Sequence, residues 1–116
     1  MTTAQILVVD DEQNLRILIE ALLESAGYRV LLASGGEEAL ARAAAVEPDL
    51  AIVDLRMPGM DGLTLLEHLL RRHPELPVLM LTAHGTVTHA VEAMQKGAYD
   101  FLTKPFESTD LLTRIA

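Results

Sequence analysis

The sequence predicts a doubly wound α/β domain, a five-stranded parallel sheet with helices on both faces. Two observations carry this. Short continuous apolar runs alternate with segments whose apolar residues recur at three- and four-residue steps. Unbroken apolar strands are those buried on both faces, and parallel strands need helical crossovers between them. Such crossovers are right-handed, so the helices wrap both sides of the sheet. Finally, polar residues gather just after several of the apolar runs, at the edge where open α/β sheets place their sites.

Each element has its own local reason. Ile6-Leu7-Val8-Val9 is the first strand and ends at Asp10-Asp11. Leu15, Leu18, Ile19, Leu22, Leu23 and Ala26 then mark one face of a helix, with Gly27 suited to its C′ position. Val30-Leu31-Leu32-Ala33 is the second strand, and Ser34-Gly-Gly-Glu37 reads as a capping box for a second helix, which Pro48 follows. Leu50-Ala51-Ile52-Val53 is the third strand, ending at Asp54. The turn-rich stretch Met57-Pro58-Gly59-Met60-Asp61-Gly62 leads into a helix marked by Leu63, Leu66, Leu69 and Leu70. Val78-Leu79-Met80-Leu81 forms the fourth strand and ends at Thr82. Val87, Ala90, Val91 and Met94 mark the fourth helix, stopped by Gly97. Tyr99 to Leu102 is a short fifth strand ending near Lys104-Pro105. Ser108 is expected to cap a last helix carrying Leu111, Leu112 and Ile115, whose shortness suggests the front piece of something longer or a trimmed chain.

Composition narrows the function. The 116 residues suit one domain, and half of them are hydrophobic, which argues against disorder. With no cysteine, disulfides, thiolate zinc sites and cysteine nucleophiles are excluded. The apolar runs are too short to span a membrane, and the N-terminus lacks the basic region of a signal peptide, so a cytoplasmic protein is expected. Nine Lys and Arg against 17 Asp and Glu give a net charge of −8, the wrong sign for gripping nucleic-acid phosphates.

The polar residues at the strand ends form the candidate site. Asp10, Asp11, Asp54, Thr82 and Lys104 all fall at the carboxyl edge. Singly, each has an ordinary reading: a solvated helix N-terminus, an N-cap, a strand end, a surface cation. Together they bring three carboxylates, a hydroxyl and an ammonium to one pocket. His68, His73, His84 and His89 are scattered without metal-ligand spacing, and Gly59 and Gly62 read as backbone devices.

At Val9-Asp10-Asp11-Glu12, Asp54-Leu-Arg-Met-Pro-Gly-Met-Asp-Gly62, Thr82-Ala83 and Lys104-Pro105-Phe106 the chain resembles the receiver domains of two-component response regulators. The resemblance covers all but the short last helix and implies a flavodoxin-like strand order 2-1-3-4-5. In that order Lys104 lies two strands from Asp54, about 9–10 Å at ~4.8 Å per strand, a gap that a lysine side chain largely covers. The resemblance implies that Asp54 accepts a phosphoryl group from a sensor histidine kinase or a small phosphodonor. It implies Mg²⁺ held by Asp10, Asp11, Asp54 and the backbone carbonyl of Arg56, and phosphoryl oxygens met by Lys104 and the Thr82 hydroxyl. Small Ala83 would leave room for the phosphoryl group, with Arg56 and His84 flanking it. Phe101 takes the position of the family's switch aromatic, partnered by Thr82, and the fourth helix and fifth strand would repack with it. A homodimer through the fourth helix, fifth strand and fifth helix is the assembly implied.

The stretches Thr82-Ala-His-Gly-Thr86 and Gly97 to Phe106 look like receivers that precede an AAA+ ATPase and a DNA-binding domain in enhancer-binding transcription activators. Such an output domain, regulated by the receiver, is absent from this chain. Two other classes compete. A phosphatase of the haloacid dehalogenase type also uses an Asp nucleophile and Mg²⁺, but it needs a second Asp where this chain has Arg56. A receiver-like interaction module that is never phosphorylated would not need the full set of five site residues.

Overall fold

The computed structural model describes residues 3–83 and 87–115, the side chains of Ala83 and Val87 excepted. Strands and helices alternate as β1 (Gln5–Val9), α1 (Gln13–Ser25), β2 (Arg29–Ala33), α2 (Gly36–Ala45), β3 (Leu50–Asp54), α3 (Gly62–Arg72), β4 (Val78–Ala83), α4 (Val87–Gln95), β5 (Asp100–Lys104) and α5 (Ser108–Ile115). All four strand pairings are parallel, and the order is β2-β1-β3-β4-β5, as expected.

The sheet separates two apolar layers. One joins inward residues of β1, β3 and β4 to α2, α3 and α4, through Ala39, Ala43, Leu65, Leu66, Leu69 and Ala93. The other joins the opposite sheet face to α1 and α5, through Ile19, Leu23 and Leu111. The central strand β3 is buried along its whole length, which is why Leu50 to Val53 form an uninterrupted apolar run. At the edge, β2 buries only Ala33. No helix among the described residues is long and apolar enough to cross a membrane.

Helix ends follow local chemistry. After α1, Gly27 takes φ 97°, and the amides of Gly27 and Tyr28 return to the carbonyls of Glu24 and Leu23. The same double return closes α4 at Gly97, φ 106°, through the carbonyls of Met94 and Ala93. Both are glycine-dependent C-terminal caps. The α3 N-cap is Asp61, whose carboxylate accepts the Thr64 amide at 2.8 Å.

Several expectations are corrected. The box at Ser34 is built differently: Gly35 is the N-cap of α2, and Ser34 donates its amide and hydroxyl to Glu38, not Glu37, at 2.6 and 3.1 Å. Starting the helix one residue later than expected moves the reachable carboxylate one residue along. On α5, Ser108 is already helical, and the carbonyl of Glu107 receives the first amides, from Asp110 and Leu111. On α1 the buried arc centres on Ile19 and Leu23, so Leu18, about 100° round the helix from Ile19, is 52% exposed. Ala26 is exposed as well. Leu65, not marked in the sequence, is fully buried on α3. On α4 the expected stripe is turned: Ala90 and Ala93 face the sheet, while Val91 and Met94 are exposed. Tyr99 precedes β5 and is also exposed.

Candidate functional site

The carboxyl ends of β1, β3 and β5 converge on one acidic pocket. Asp10 follows β1 and is completely buried, while its neighbour Asp11 is exposed. Asp54, the last residue of β3, is 6% exposed. One carboxylate oxygen from each of the three lies within 4.8 Å of the others. From the edge strand, Lys104 reaches across with Nζ 3.1 Å from Asp10 Oδ2 and 3.4 Å from Asp54 Oδ1. The gap of two strands is therefore closed by the lysine side chain.

Local hydrogen bonds aim these groups. The Glu12 amide donates to Asp10 Oδ1 at 2.9 Å, turning the other oxygen toward Lys104. The Arg56 amide donates to Asp54 Oδ1 at 3.3 Å, an Asx-type bond two residues on. The Arg56 side chain is exposed at the rim. Gly62 makes the tight return possible: its amide donates to the Leu55 carbonyl at 2.9 Å, and a Cβ there would strike the backbone of Asp54 and Leu55. Gly59, at φ 76°, turns the same loop.

Charge in the pocket is unbalanced, three carboxylates against one ammonium. Burial is the main reason that the Asp54 carboxyl is pushed up to about 6, with the Asp10 charge adding and Lys104 opposing. Burial lowers the Lys104 pKa, but Asp54 and Asp10 more than offset this, and the ammonium is held above its ordinary value. A cluster of hard oxygen donors, two of its three carboxylates buried, with excess negative charge fits a small divalent cation such as Mg²⁺. Among the described residues, Asp10, Asp11 and Asp54 are the side chains able to hold it.

Thr82 is buried near the end of β4, one residue beyond the Leu81 that pairs with Asp54. Phe101 pairs in register with Met80 and packs, half-buried, against the α2–α3–α4 layer. His84 and the Ala83 side chain lie outside the described residues. One participant was not foreseen. Arg16 of α1 donates from Nη1 to the Asp10 backbone carbonyl at 2.6 Å. Only its position six residues after Asp10, on the first helical turns, signals this in the sequence.

A response regulator receiver domain profile matches residues 6–116. The chain belongs to the response regulator receiver family. This receiver is 47% identical over 100 residues to the DNA-binding transcriptional regulator NtrC of Salmonella typhimurium, covering 86% of this chain and 21% of that protein. It is 43% identical over 109 residues to the nitrogen assimilation regulatory protein NtrX of Azorhizobium caulinodans, covering 92% of this chain and 24% of that one. Among solved structures, NtrX from Brucella abortus superimposes with a TM-score of 0.93 at 40% identity, over 97% of this chain and 25% of that one. The chemotaxis protein CheY4 of Vibrio cholerae does so with a TM-score of 0.93 at 34% identity, over 98% and 97%. The receiver thus spans about a fifth to a quarter of the length of its NtrC and NtrX relatives, and nearly all of CheY4.

Proposed function

We propose that this receiver is a switch thrown by phosphorylation of Asp54, with a sensor histidine kinase or a small phosphodonor as the source. The observation that carries the reading is the convergence of Asp54 with Asp10, Asp11 and Lys104 at the carboxyl edge of the sheet. An Asp54 carboxylate oxygen attacks the phosphorus of a phosphohistidine. The O–P bond forms, the P–N bond breaks, and its electron pair returns to the imidazole, which is protonated. Lys104 leaves its two carboxylates enough to neutralise phosphoryl oxygens, and the Thr82 hydroxyl donates to one of them. Asp10, Asp11, Asp54 and the Arg56 carbonyl would hold Mg²⁺, which when bound supplies charge neutralisation of the transferring group.

The domain acts on itself only, taking up the phosphoryl group and slowly losing it to water. The added charge, about −1.5 to −2, biases Thr82 and Phe101 and repacks α4 and β5. That face then reports to a second copy, joined through α4, β5 and α5, or to an output domain. The relatives are transcriptional regulators, which supports an output domain of the AAA+ and DNA-binding kind in a cytoplasmic protein.

Incubation with acetyl phosphate and Mg²⁺, read by intact-protein mass spectrometry, tests the reading. One phosphoryl adduct on the parent and none on Asp54→Asn is the expected result. Full labelling of Asp54→Asn would place the acceptor elsewhere, turnover of a phosphomonoester would indicate a phosphatase, and an unlabelled parent would indicate a pure interaction module.

A further inference from the structure

Asp10 reaches the pocket from a turn that belongs to neither β1 nor α1, since β1 ends at Val9 and α1 starts at Gln13. Its side chain is committed on both sides: Oδ1 to the Glu12 amide and Oδ2 to Lys104. Its amide donates to the Ala33 carbonyl at 3.2 Å. The remaining group, the Asp10 carbonyl, belongs to a completely buried residue, and its partner is the Arg16 guanidinium at 2.6 Å. A bond this short to a charged donor is strong and directional. The backbone amide of Arg16 in turn donates to the Glu12 carbonyl, so the turn is clamped from α1 at both ends.

Rotation of the Asp10 carbonyl would carry the next residue, Asp11, with it, because the two share that peptide. Asp11 is exposed, and no hydrogen bond among those described fixes its carboxylate.

We propose that Arg16 is a positioning residue for the divalent-cation site: by holding the Asp10 carbonyl it keeps the Asp10 and Asp11 carboxylates together with Asp54. The proposal rests on the metal-dependent phospho-acceptor reading above. It has a signature of its own, because positioning and plain electrostatics predict opposite signs. Arg16 is a cation close to a cation site, so if charge were its only contribution, removing it would tighten Mg²⁺ binding. If it positions the turn, removing it loosens Mg²⁺ binding even though a repelling charge is gone.

The experiment is calorimetric titration of MgCl₂ into the parent, Arg16→Met and Arg16→Lys, with thermal melting of each protein without metal. Arg16→Met keeps an apolar stem of similar length and removes the donor, whereas Arg16→Lys keeps both a donor and a charge. The expected result is a Kd for Mg²⁺ raised five-fold or more in Arg16→Met and restored to within about two-fold of the parent in Arg16→Lys. An unchanged or tighter Kd in Arg16→Met overturns the proposal, and a lower melting temperature at unchanged Kd does so too, since that is a purely structural role. If Arg16→Met does not fold, Arg16→Gln takes its place under the same criteria. A parent that binds no Mg²⁺ overturns the phospho-acceptor reading as well, whereas a parent that binds while Arg16→Met binds equally overturns this inference alone.

Discussion

α3 and α4 lie on the same side of the sheet, and they are attached to it by different means. α3 drives Leu65, Leu66 and Leu69 fully into the core, each completely buried. α4 buries Ala90 and Ala93 and leaves Val91 and Met94 outside. Burying a leucine is worth about 1.5–3 kcal/mol, and an alanine much less. At its C-terminal end α4 is also tied to α3 by Lys96–Glu67 at 2.9 Å, an exposed, solvent-screened pair that holds the helix weakly. The difference is instructive because of what each helix follows. α3 comes directly after the loop that follows Asp54 and closes it through Gly62, so a firmly held α3 keeps the end of β3 in place. α4 follows the strand that carries Thr82, and on the proposed reading it is the element that repacks. A switch needs a fixed site and a movable readout.

The comparison is broken most forcefully by truncating side chains on the two helices. Leu66→Ala is expected to cost about 2–5 kcal/mol in urea unfolding, the range for a fully buried leucine. Val91→Ala and Met94→Ala are expected to stay within about 0.5 kcal/mol of the parent, as exposed positions do. Equal losses on both helices would refute the difference.

A smaller effect comes from Asp54, the proposed acceptor. Asp54 has a folded-state pKa of about 6 against an ordinary 3.8, so the folded domain holds this proton more tightly than the unfolded chain. In EDTA the stability from this group is fully present below about pH 4 and is lost as the pH rises through about 6. Asp54→Ala is expected to flatten that dependence and to stabilise the metal-free domain at neutral pH by on the order of 2 kcal/mol. Millimolar Mg²⁺ is expected to raise the melting temperature of the parent, because only the folded chain assembles the carboxylates. A parent whose melting is indifferent to both pH and Mg²⁺ would contradict the electrostatic account.

On the readout side, beryllofluoride with Mg²⁺ is expected to increase self-association in light scattering, with Met94→Ser reducing it at unchanged stability. Identical masses across a wide concentration range would remove α4 from the interface. The smallest expected effect concerns signal lifetime. The Arg56 side chain is exposed two residues after Asp54, and on the proposed reading it would lie over the phosphoryl oxygens and hinder the attacking water. Arg56→Asn is expected to dephosphorylate about threefold faster, equivalent to about 0.7 kcal/mol of barrier. Slower decay would mean that Arg56 assists hydrolysis.

Most of the frame was legible because buried parallel strands write themselves as unbroken apolar runs, and because Gly27 and Gly97 punctuate helices by backbone conformation alone. The pocket was legible for a related reason: residues that end neighbouring strands must meet, and Lys104 is long enough to reach Asp54. The turned face of α4 was not. Periodicity reveals that a helix has a stripe, but Ala90 and Ala93 compete with Val91 and Met94 for the sheet, and tertiary fit decides in favour of the small pair. Arg16 was missed because a cation on an amphipathic helix ordinarily reads as solvated, and its spacing from Asp10 is the one local sign that a carbonyl awaits it. The Ser34 box shifted from Glu37 to Glu38 because helix starts are set within a residue or two by the flanking glycines.

The central claim is that Asp54, and neither of the acids beside it, takes the phosphoryl group. Borohydride reduction tests it most directly, because it converts an aspartyl phosphate to homoserine and leaves free carboxylates untouched. After acetyl phosphate and Mg²⁺, peptide mapping of the reduced protein is predicted to find homoserine at position 54 alone. Homoserine at position 10 or 11, or at no position in a protein that carries the adduct, would contradict the account.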